Sequence, residues 1–219
     1  MIVLDTNVIS ELARQVPDPG VLSWLDALEI SDVVTTAVTA AELRYGIARL
    51  PDGHRKRELA VVIRGILTED FQGRVLPFDE RSSVQYADIV TRRERIGRPI
   101  GIADAQIAAI CRDLAATLAT RNTADFEETG IELINPWKLG LGILVDAARE
   151  LNDGPNLAQA IMDRFGELGG IDLGLARPRV RGGADALQEG PDRAEEFSRP
   201  GLVVGVSGAL DGDERRVGH

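Results

Sequence analysis

The sequence predicts an α/β fold with a mainly parallel central sheet flanked by helices. Short apolar or β-branched runs alternate with longer segments of helical spacing between residues 2 and 137, and this alternation is typical of parallel sheets. The first run, Ile2–Leu4, lacks a helical period and stops at the polar residues Asp5-Thr6-Asn7. We therefore expect a buried strand at the start of the chain, with a helix directly behind it.

The remaining elements are predicted in order from periodicity and from breaks at Pro and Gly. Helices are expected over residues 7–15 and 20–29, on either side of Pro17-Asp18-Pro19-Gly20. Asn135-Pro136-Trp137 ends the last strand. The other strands are predicted at 33–36, 74–78, 117–120 and 131–134, and the other helices at 39–50, 58–68, 80–95 and 100–116.

The amino-acid composition of the chain changes after Trp137. Residues 138–219 contain 15 of the 23 glycines and only two aromatic residues. We predict one domain over 1–137 and a Gly-rich C-terminal extension over 138–219, with a linker near 138–142. Two short helices are expected in the extension, at 144–151 and 157–168, and loop or disorder is expected beyond about residue 169.

Composition excludes several classes of protein. No stretch approaches the roughly 20 apolar residues of a membrane span, and Asp5 interrupts the N-terminus too early for a signal peptide. A single cysteine, Cys111, excludes an internal disulfide framework and fits a reducing cytoplasm. The formal net charge of −10 does not favour a nucleic-acid binder, although an acidic total is compatible with a local basic stripe.

Lysine and histidine are too scarce for several kinds of active site. The only lysines are Lys56 and Lys138, and neither follows the Gly-rich turn of a P-loop. The only histidines are His54 and His219, so a histidine triad or a His-rich zinc site has almost nothing to be built from. Chemistry must therefore rest on carboxylates, hydroxyls, amides and arginines.

Three acids occupy apolar surroundings that do not call for a charge: Asp5, Glu42 and Asp104. A buried carboxylate costs several kcal/mol unless it has a partner. Glu42 is explained equally well as the last member of a capping box that begins at Thr39. For Asp104, the helix dipole contributes about 0.3–1 kcal/mol, which is too little to explain a buried charge.

The predicted topology brings these acids to one edge of the sheet. Asp5 ends a strand, Glu42 and Asp104 open helices, and the turn with Asn122 and Asp125 follows a strand. The carboxyl ends of parallel strands share an edge. Oxygen ligands without His or Cys suit Mg²⁺ or Mn²⁺, and such a site predicts phosphate-ester chemistry by metal-activated water.

Four ordered blocks resemble the PIN-domain ribonuclease toxins of VapC/FitB type. They are I-V-L-D-T-N-V-I-S-E, T-A-x-T-A-A-E-L-R-x-G, I-A-D-A-Q-I-A-A and A-T-R-N-T-A-D-F, and the closing I-N-P-W resembles FitB-like members. The resemblance covers residues 1 to about 137. It implies a PIN fold and the toxin of a type II toxin-antitoxin system, a Mg²⁺- or Mn²⁺-dependent endoribonuclease inhibited by a cognate antitoxin and usually dimeric.

The resemblance also implies roles for individual residues. Asp5 and Asp104 match the principal metal ligands and Glu42 the third acid. Asp125 is the expected fourth acid with Asn122 as a neutral helper, since relatives place this acid at either position. Three polar matches are expected to orient ligands or water: Thr6, Asn7 and Thr120. The arginines could hold the RNA backbone, or they could simply be solvated residues on exposed helix faces: Arg44, Arg49 and the basic run 92–98.

Two alternatives remain at this point. One is a metal-dependent phosphatase-like α/β enzyme, although such enzymes generally need an acid two residues after the first, where this chain has Asn7. The other is a PIN-fold binding module that has lost its chemistry, of which Asn122 in place of an acid would be a sign.

Overall fold

The structure, a computed structural model, describes residues 1–139, 156–166 and 168–169. Five short parallel strands form a sheet in the order β3-β2-β1-β4-β5. The predicted α/β class and the parallel sheet are confirmed. The strands are β1 (Ile2–Leu4), β2 (Val33–Thr36), β3 (Val75–Leu76), β4 (Thr117–Ala119) and β5 (Leu133–Ile134).

Eight α-helices are described within those ranges. No helix there is long and apolar enough to cross a membrane. They are α1 (Thr6–Leu12), α2 (Pro19–Asp26), α3 (Ala37–Ala48), α4 (His54–Gly65), α5 (Glu80–Arg95), α6 (Ile102–Asp113), α7 (Thr123–Phe126) and α8 (Leu157–Gly166).

Successive residues of each central strand enter different layers. In β1, Val3 packs in one core cluster and Leu4 in the other, and β2 and β4 divide in the same way. This two-residue alternation is what a sheet covered on both faces requires. One face carries α1, α2, α3, α4 and α8, and the other carries α5, α6 and α7.

Most predicted helix boundaries shift by one to four residues in the structure, and three of these shifts have a local reason. Helix α3 begins at Ala37 rather than near Thr39, because the Thr36 side chain accepts a hydrogen bond from Thr39 N at 3.0 Å and caps the helix. Helix α4 includes the polar start at His54 and gives way to a π-helical turn, Ile66–Asp70. Helix α6 stops at Asp113, because Ala115 adopts φ +49°.

The extension contributes one described helix. The predicted helix at 157–168 is observed as α8, Leu157–Gly166. The predicted helix at 144–151 and the stretch beyond 169 lie outside the described residues. Helix α8 packs against the α/β unit, where Leu157 and Phe165 join the core cluster of α1, α2 and α4.

Candidate functional site

Asp5 lies at the centre of the candidate site, at the carboxyl end of the middle strand. Its side chain is fully buried and accepts three hydrogen bonds. Oδ1 accepts from Thr6 N at 2.7 Å, and Oδ2 accepts from Asn7 Nδ2 at 2.8 Å and from Thr120 Oγ1 at 2.7 Å. These donors come from α1 and from the residue after β4, so two adjacent strand ends orient one carboxylate.

Thr120 and Asn7 extend this network into the turn that follows β4. Asn7 Nδ2 also donates to Thr120 Oγ1 at 3.0 Å, and Asn7 Oδ1 accepts from Arg121 N at 3.0 Å. Thr120 Oγ1 accepts in addition from Asn122 N at 3.1 Å. The three polar residues predicted to orient the site, Thr6, Asn7 and Thr120, are therefore brought together, and each donates a hydrogen bond to Asp5.

Glu42 joins the same edge through Thr6. Thr6 Oγ1 donates to Glu42 Oε2 at 2.5 Å, which connects α1 to α3. The capping-box interpretation of Glu42 is wrong, because Thr36 is the cap and Glu42 lies a full turn inside the helix. Glu42 is half-buried and is bound through Thr6 to the residue next to Asp5, so it belongs to the candidate site and not to the helix cap.

Asp104 lies in the first turn of α6, with 8% of its surface exposed. Cys111 follows two turns later and therefore occupies the same helix face. Burial raises the pKa of the Cys111 thiol, and the negative charge of Asp5 raises it further. Cys111 packs in one core cluster with Val3 of β1, so this face of α6 lies against the sheet.

Asn122 and Asp125 belong to one turn, in which Asp125 N donates to Asn122 O at 3.1 Å, but their surroundings differ. The backbone of Asn122 belongs to the Thr120 network, whereas Asp125 lies in α7 near a buried arginine. Burial lowers the pKa of Arg93, and the charge of Asp125 partly offsets that effect. Asp125 as a fourth ligand stays a prediction, with Arg93 as a competing partner for its charge.

The basic residues fall into two groups. In the run 92–98, Arg93 is buried and donates to backbone carbonyls, and Arg92 and Arg98 pair with Glu128 and Glu127 at 3.2 and 2.8 Å. These arginines hold the turn after α7, which limits their use on RNA. Arg44 and Arg49 of α3 are exposed, so their predicted contact with a phosphate backbone remains open.

Arg121 and Asn135 belong to the site and were not predicted. Asn135 Nδ2 donates to Arg121 O at 3.3 Å, and the Arg121 guanidinium lies 5.1 Å from the centre of the Trp137 ring. Both residues lie in blocks that resemble VapC/FitB toxins, A-T-R-N and I-N-P-W. These blocks follow neighbouring strands of the sheet, and this could have identified both residues as part of the site.

The described residues do not contain a ready-made metal cage. Within 1–139, 156–166 and 168–169, no group of three or more His, Cys, Asp or Glu side chains has a spacing that could hold a metal ion. The donor chemistry nevertheless fits a hard divalent cation, because the acids at this edge supply only oxygen and Cys111 stays a thiol. Metal ligation by Asp5, Asp104, Glu42 and Asp125 remains a prediction.

The comparison with protein families decides the identity of this arrangement. A model of the PIN domain matches residues 2–132, which is more than half of the chain and includes Asp5, Glu42, Asp104 and Asp125. The chain belongs to the PIN domain family.

Individual relatives of this PIN domain are known. It is 45% identical over 138 residues to the VapC ribonuclease Y4jK of Sinorhizobium fredii, covering 63% of this chain and 99% of that protein. It is 42% identical over 137 residues to the toxin FitB of Neisseria gonorrhoeae, with the same coverage. The solved structure of FitAB bound to an IR36 DNA fragment matches with a TM-score of 0.61 and 40% identity, over 65% of this chain and 100% of that one.

The thiol of this PIN domain is expected to be inert. Cys111 is fully buried, and burial raises its pKa, so little thiolate forms at pH 8. Iodoacetamide at pH 8 should leave the folded chain unmodified and label it stoichiometrically in 6 M guanidinium, as read by intact-mass spectrometry. Rapid labelling of the folded chain would contradict the complete burial of Cys111.

Proposed function

We propose that this PIN domain is the toxin of a toxin-antitoxin pair and acts as a Mg²⁺- or Mn²⁺-dependent endoribonuclease. The observation that carries the proposal is the fully buried Asp5 carboxylate with three hydrogen-bond donors at the carboxyl end of the central strand. Burying a carboxylate costs free energy, and buried ionisable groups of this kind are concentrated at functional sites. The identity to a VapC ribonuclease and to the toxin FitB supports this choice of activity.

The residues divide the work between ligation and orientation. Asp5, Asp104 and Glu42 would hold the ion, with Asp125 as the candidate fourth acid. A divalent ion in such a site activates water and stabilises the charge on a phosphodiester. Hydrogen bonds from Thr120, Asn7 and Thr6 fix the Asp5 and Glu42 carboxylates. Because these side chains are already oriented, they would lose less conformational entropy when a metal ion binds.

RNA is expected to approach the same edge from the solvent side. Arg121 lies beside the Asp5 network, stacked on Trp137, and Arg44 and Arg49 are exposed on α3. Contacts of arginine with phosphate position a nucleic acid without reading its sequence. We propose that these side chains offset the overall charge of −10 locally.

The partners of the relatives suggest the partners of this chain. FitB is known in complexes called FitAB and FitAcB, one of them on DNA. We propose a cognate antitoxin and a homodimer for this chain, and a cytoplasmic location, where RNA and antitoxin would be met.

A phosphatase-like activity is the weaker reading of the site. That mechanism generally needs a second acid two residues after the nucleophile, whereas this chain has Asn7 there, and its side chain donates to Asp5 Oδ2. Trapping of an acyl-phosphate on Asp5 would restore it.

The activity is tested by incubating the full chain with tRNA, rRNA and mRNA pools in Mg²⁺, Mn²⁺ or a chelator. We expect cleavage with either ion, none with the chelator, and fragments that carry 5′-phosphate and 3′-hydroxyl ends. Cleavage that resists the chelator would refute metal dependence. Intact RNA under all conditions, together with no Mn²⁺ binding by calorimetry, would favour the non-catalytic binding module.

A further inference from the structure

A cleft lies at the surface between α3 and α4, which we call the α3–α4 cleft. Its volume is about 550 Å³, within the range of about 300–1,000 Å³ that is usual for ligand-binding clefts. Ile47 and Ile63 form its floor and are 5% and 1% exposed. Helix α8 lies on a different side of α4, where Arg164 covers Gly65, and Gly65 does not line the cleft.

The rim of the α3–α4 cleft is basic. Arg44, Arg57 and Arg64 line it and are exposed, and none of the three forms an ion pair with the residues that the structure describes. A fourth cation, Lys56, donates to Asp52 Oδ1 at 3.0 Å, so its charge is balanced within the cleft. In a chain with 35 acidic and 25 basic residues, three unpaired guanidinium groups around one cleft reverse the charge locally.

The combination of arginines with an apolar floor indicates the class of ligand. A guanidinium group binds phosphate oxygens through two parallel hydrogen bonds and stays charged at physiological pH. A single-stranded nucleic acid presents both of the matching chemistries, because its phosphates are anionic and the faces of its unpaired bases are apolar. The α3–α4 cleft therefore matches a single strand better than it matches a small inorganic anion.

The α3–α4 cleft continues from the candidate site along helix α3. Glu42 lies at the Asp5 edge, where its side chain accepts a hydrogen bond from Thr6. Arg44 and Ala48 line the cleft on the same helix, about 3 and 9 Å farther along the axis at a rise of about 1.5 Å per residue. A single strand whose scissile phosphate lies at the Asp5 edge can therefore extend directly into the cleft.

We propose that the α3–α4 cleft is an accessory site for the phosphate backbone of single-stranded RNA, beside the metal edge and outside it. The choice of RNA as the nucleic acid rests on the proposed function, whereas the cleft and its charges do not. The site raises affinity for RNA of any sequence, because contacts with phosphates carry no sequence information. It supplies the local basic surface that a chain with a net charge of −10 needs in order to hold RNA.

The proposal is tested by the fluorescence anisotropy of labelled oligouridine with the full-length chain in a chelator, so that binding is read without cleavage. Arg57→Gln and Arg64→Gln are introduced singly and together. We expect binding to weaken about threefold in each single variant and about tenfold in the double variant. The slope of log affinity against log salt concentration should become shallower by about 0.7 for each lost contact with a single strand.

Arg55→Gln is the matched control on the same helix. Arg55 is exposed, lies two positions before Arg57 and does not line the α3–α4 cleft. Its replacement changes the net charge by the same amount as Arg57→Gln. We expect the affinity and the salt slope of the Arg55→Gln chain to equal those of the native chain, with circular dichroism showing that every variant is folded.

Several outcomes would overturn the proposal. They are no measurable binding of oligouridine by the native chain, a native salt slope in the double variant, and equal impairment of the Arg55→Gln and Arg57→Gln chains. Tighter binding of an oligoglutamate peptide or of duplex DNA than of oligouridine, through the same two arginines, would assign the cleft to another class of partner. Because binding is measured in a chelator, a failure of the proposed ribonuclease activity would leave this result interpretable.

Discussion

The Asp104→Asn chain is expected to lose RNA cleavage by about 10³-fold, because the proposed ion loses a carboxylate ligand while the helix is preserved. Its melting temperature should stay unchanged or rise, because the substitution removes one negative charge from the proposed group of Asp5, Glu42 and Asp104. Cleavage rates in Mg²⁺ and Mn²⁺ and thermal unfolding monitored by circular dichroism measure both effects on one preparation.

Asp113→Asn is the matched control on the same helix. Asp113 is the last residue of α6 and pairs with Arg81 at 3.3 Å, so its loss should leave cleavage intact. Asp5 is a less clean target, since an asparagine there cannot accept all three hydrogen bonds that Asp5 accepts. An Asp104→Asn chain that melts earlier and still cleaves RNA would identify Asp104 as a structural acid.

The Thr120→Val chain should show the second largest effect. Valine has the shape of threonine but cannot donate to Asp5 Oδ2 or accept from Asn7 Nδ2 and Asn122 N. Thr120 is fully buried, so the unpaired groups cost about 1–3 kcal/mol of unfolding free energy. We also expect the Mn²⁺ concentration for half-maximal cleavage to rise about 10- to 100-fold, because Asp5 is no longer oriented.

Thr120→Ser separates orientation from packing. Serine keeps the hydroxyl and loses only a methyl group, so the Mn²⁺ requirement should return to that of the native chain even if stability does not. A serine variant as impaired in Mn²⁺ dependence as the valine variant would show that the hydroxyl does not position Asp5.

The central strands could be predicted because both of their faces are covered, so that every position in them must be apolar or β-branched. Val3 and Leu4 are apolar without helical spacing, and such a run fits only a strand covered on both faces. Asp5 was recognisable for the same reason, as a charge that follows a buried run. The carboxyl-edge rule for parallel sheets predicted that the turn after β4 lies beside Asp5, whereas Thr6, Asn7 and Thr120 were singled out only by the resemblance to VapC/FitB toxins.

Features that depend on tertiary contacts escaped the sequence. The cap of α3 was assigned three residues late, because Thr39 and Glu42 imitate a capping box and only the fold reveals that Thr36 fills the role. The roles of Arg93 and Arg121 depend on partners distant in the chain. The docking of α8 was equally hidden, since an amphipathic pattern predicts a helix but not the surface that receives it.

The proposed metal site is tested most directly by anomalous diffraction from crystals soaked in Mn²⁺. We predict one strong anomalous peak at the carboxyl end of β1, coordinated by oxygens of Asp5 and Asp104, and no peak there in the Asp104→Asn chain. A soaked crystal with no peak at that edge, or with manganese bound only elsewhere on the molecule, would contradict the proposal that these separated acids form one divalent-metal site.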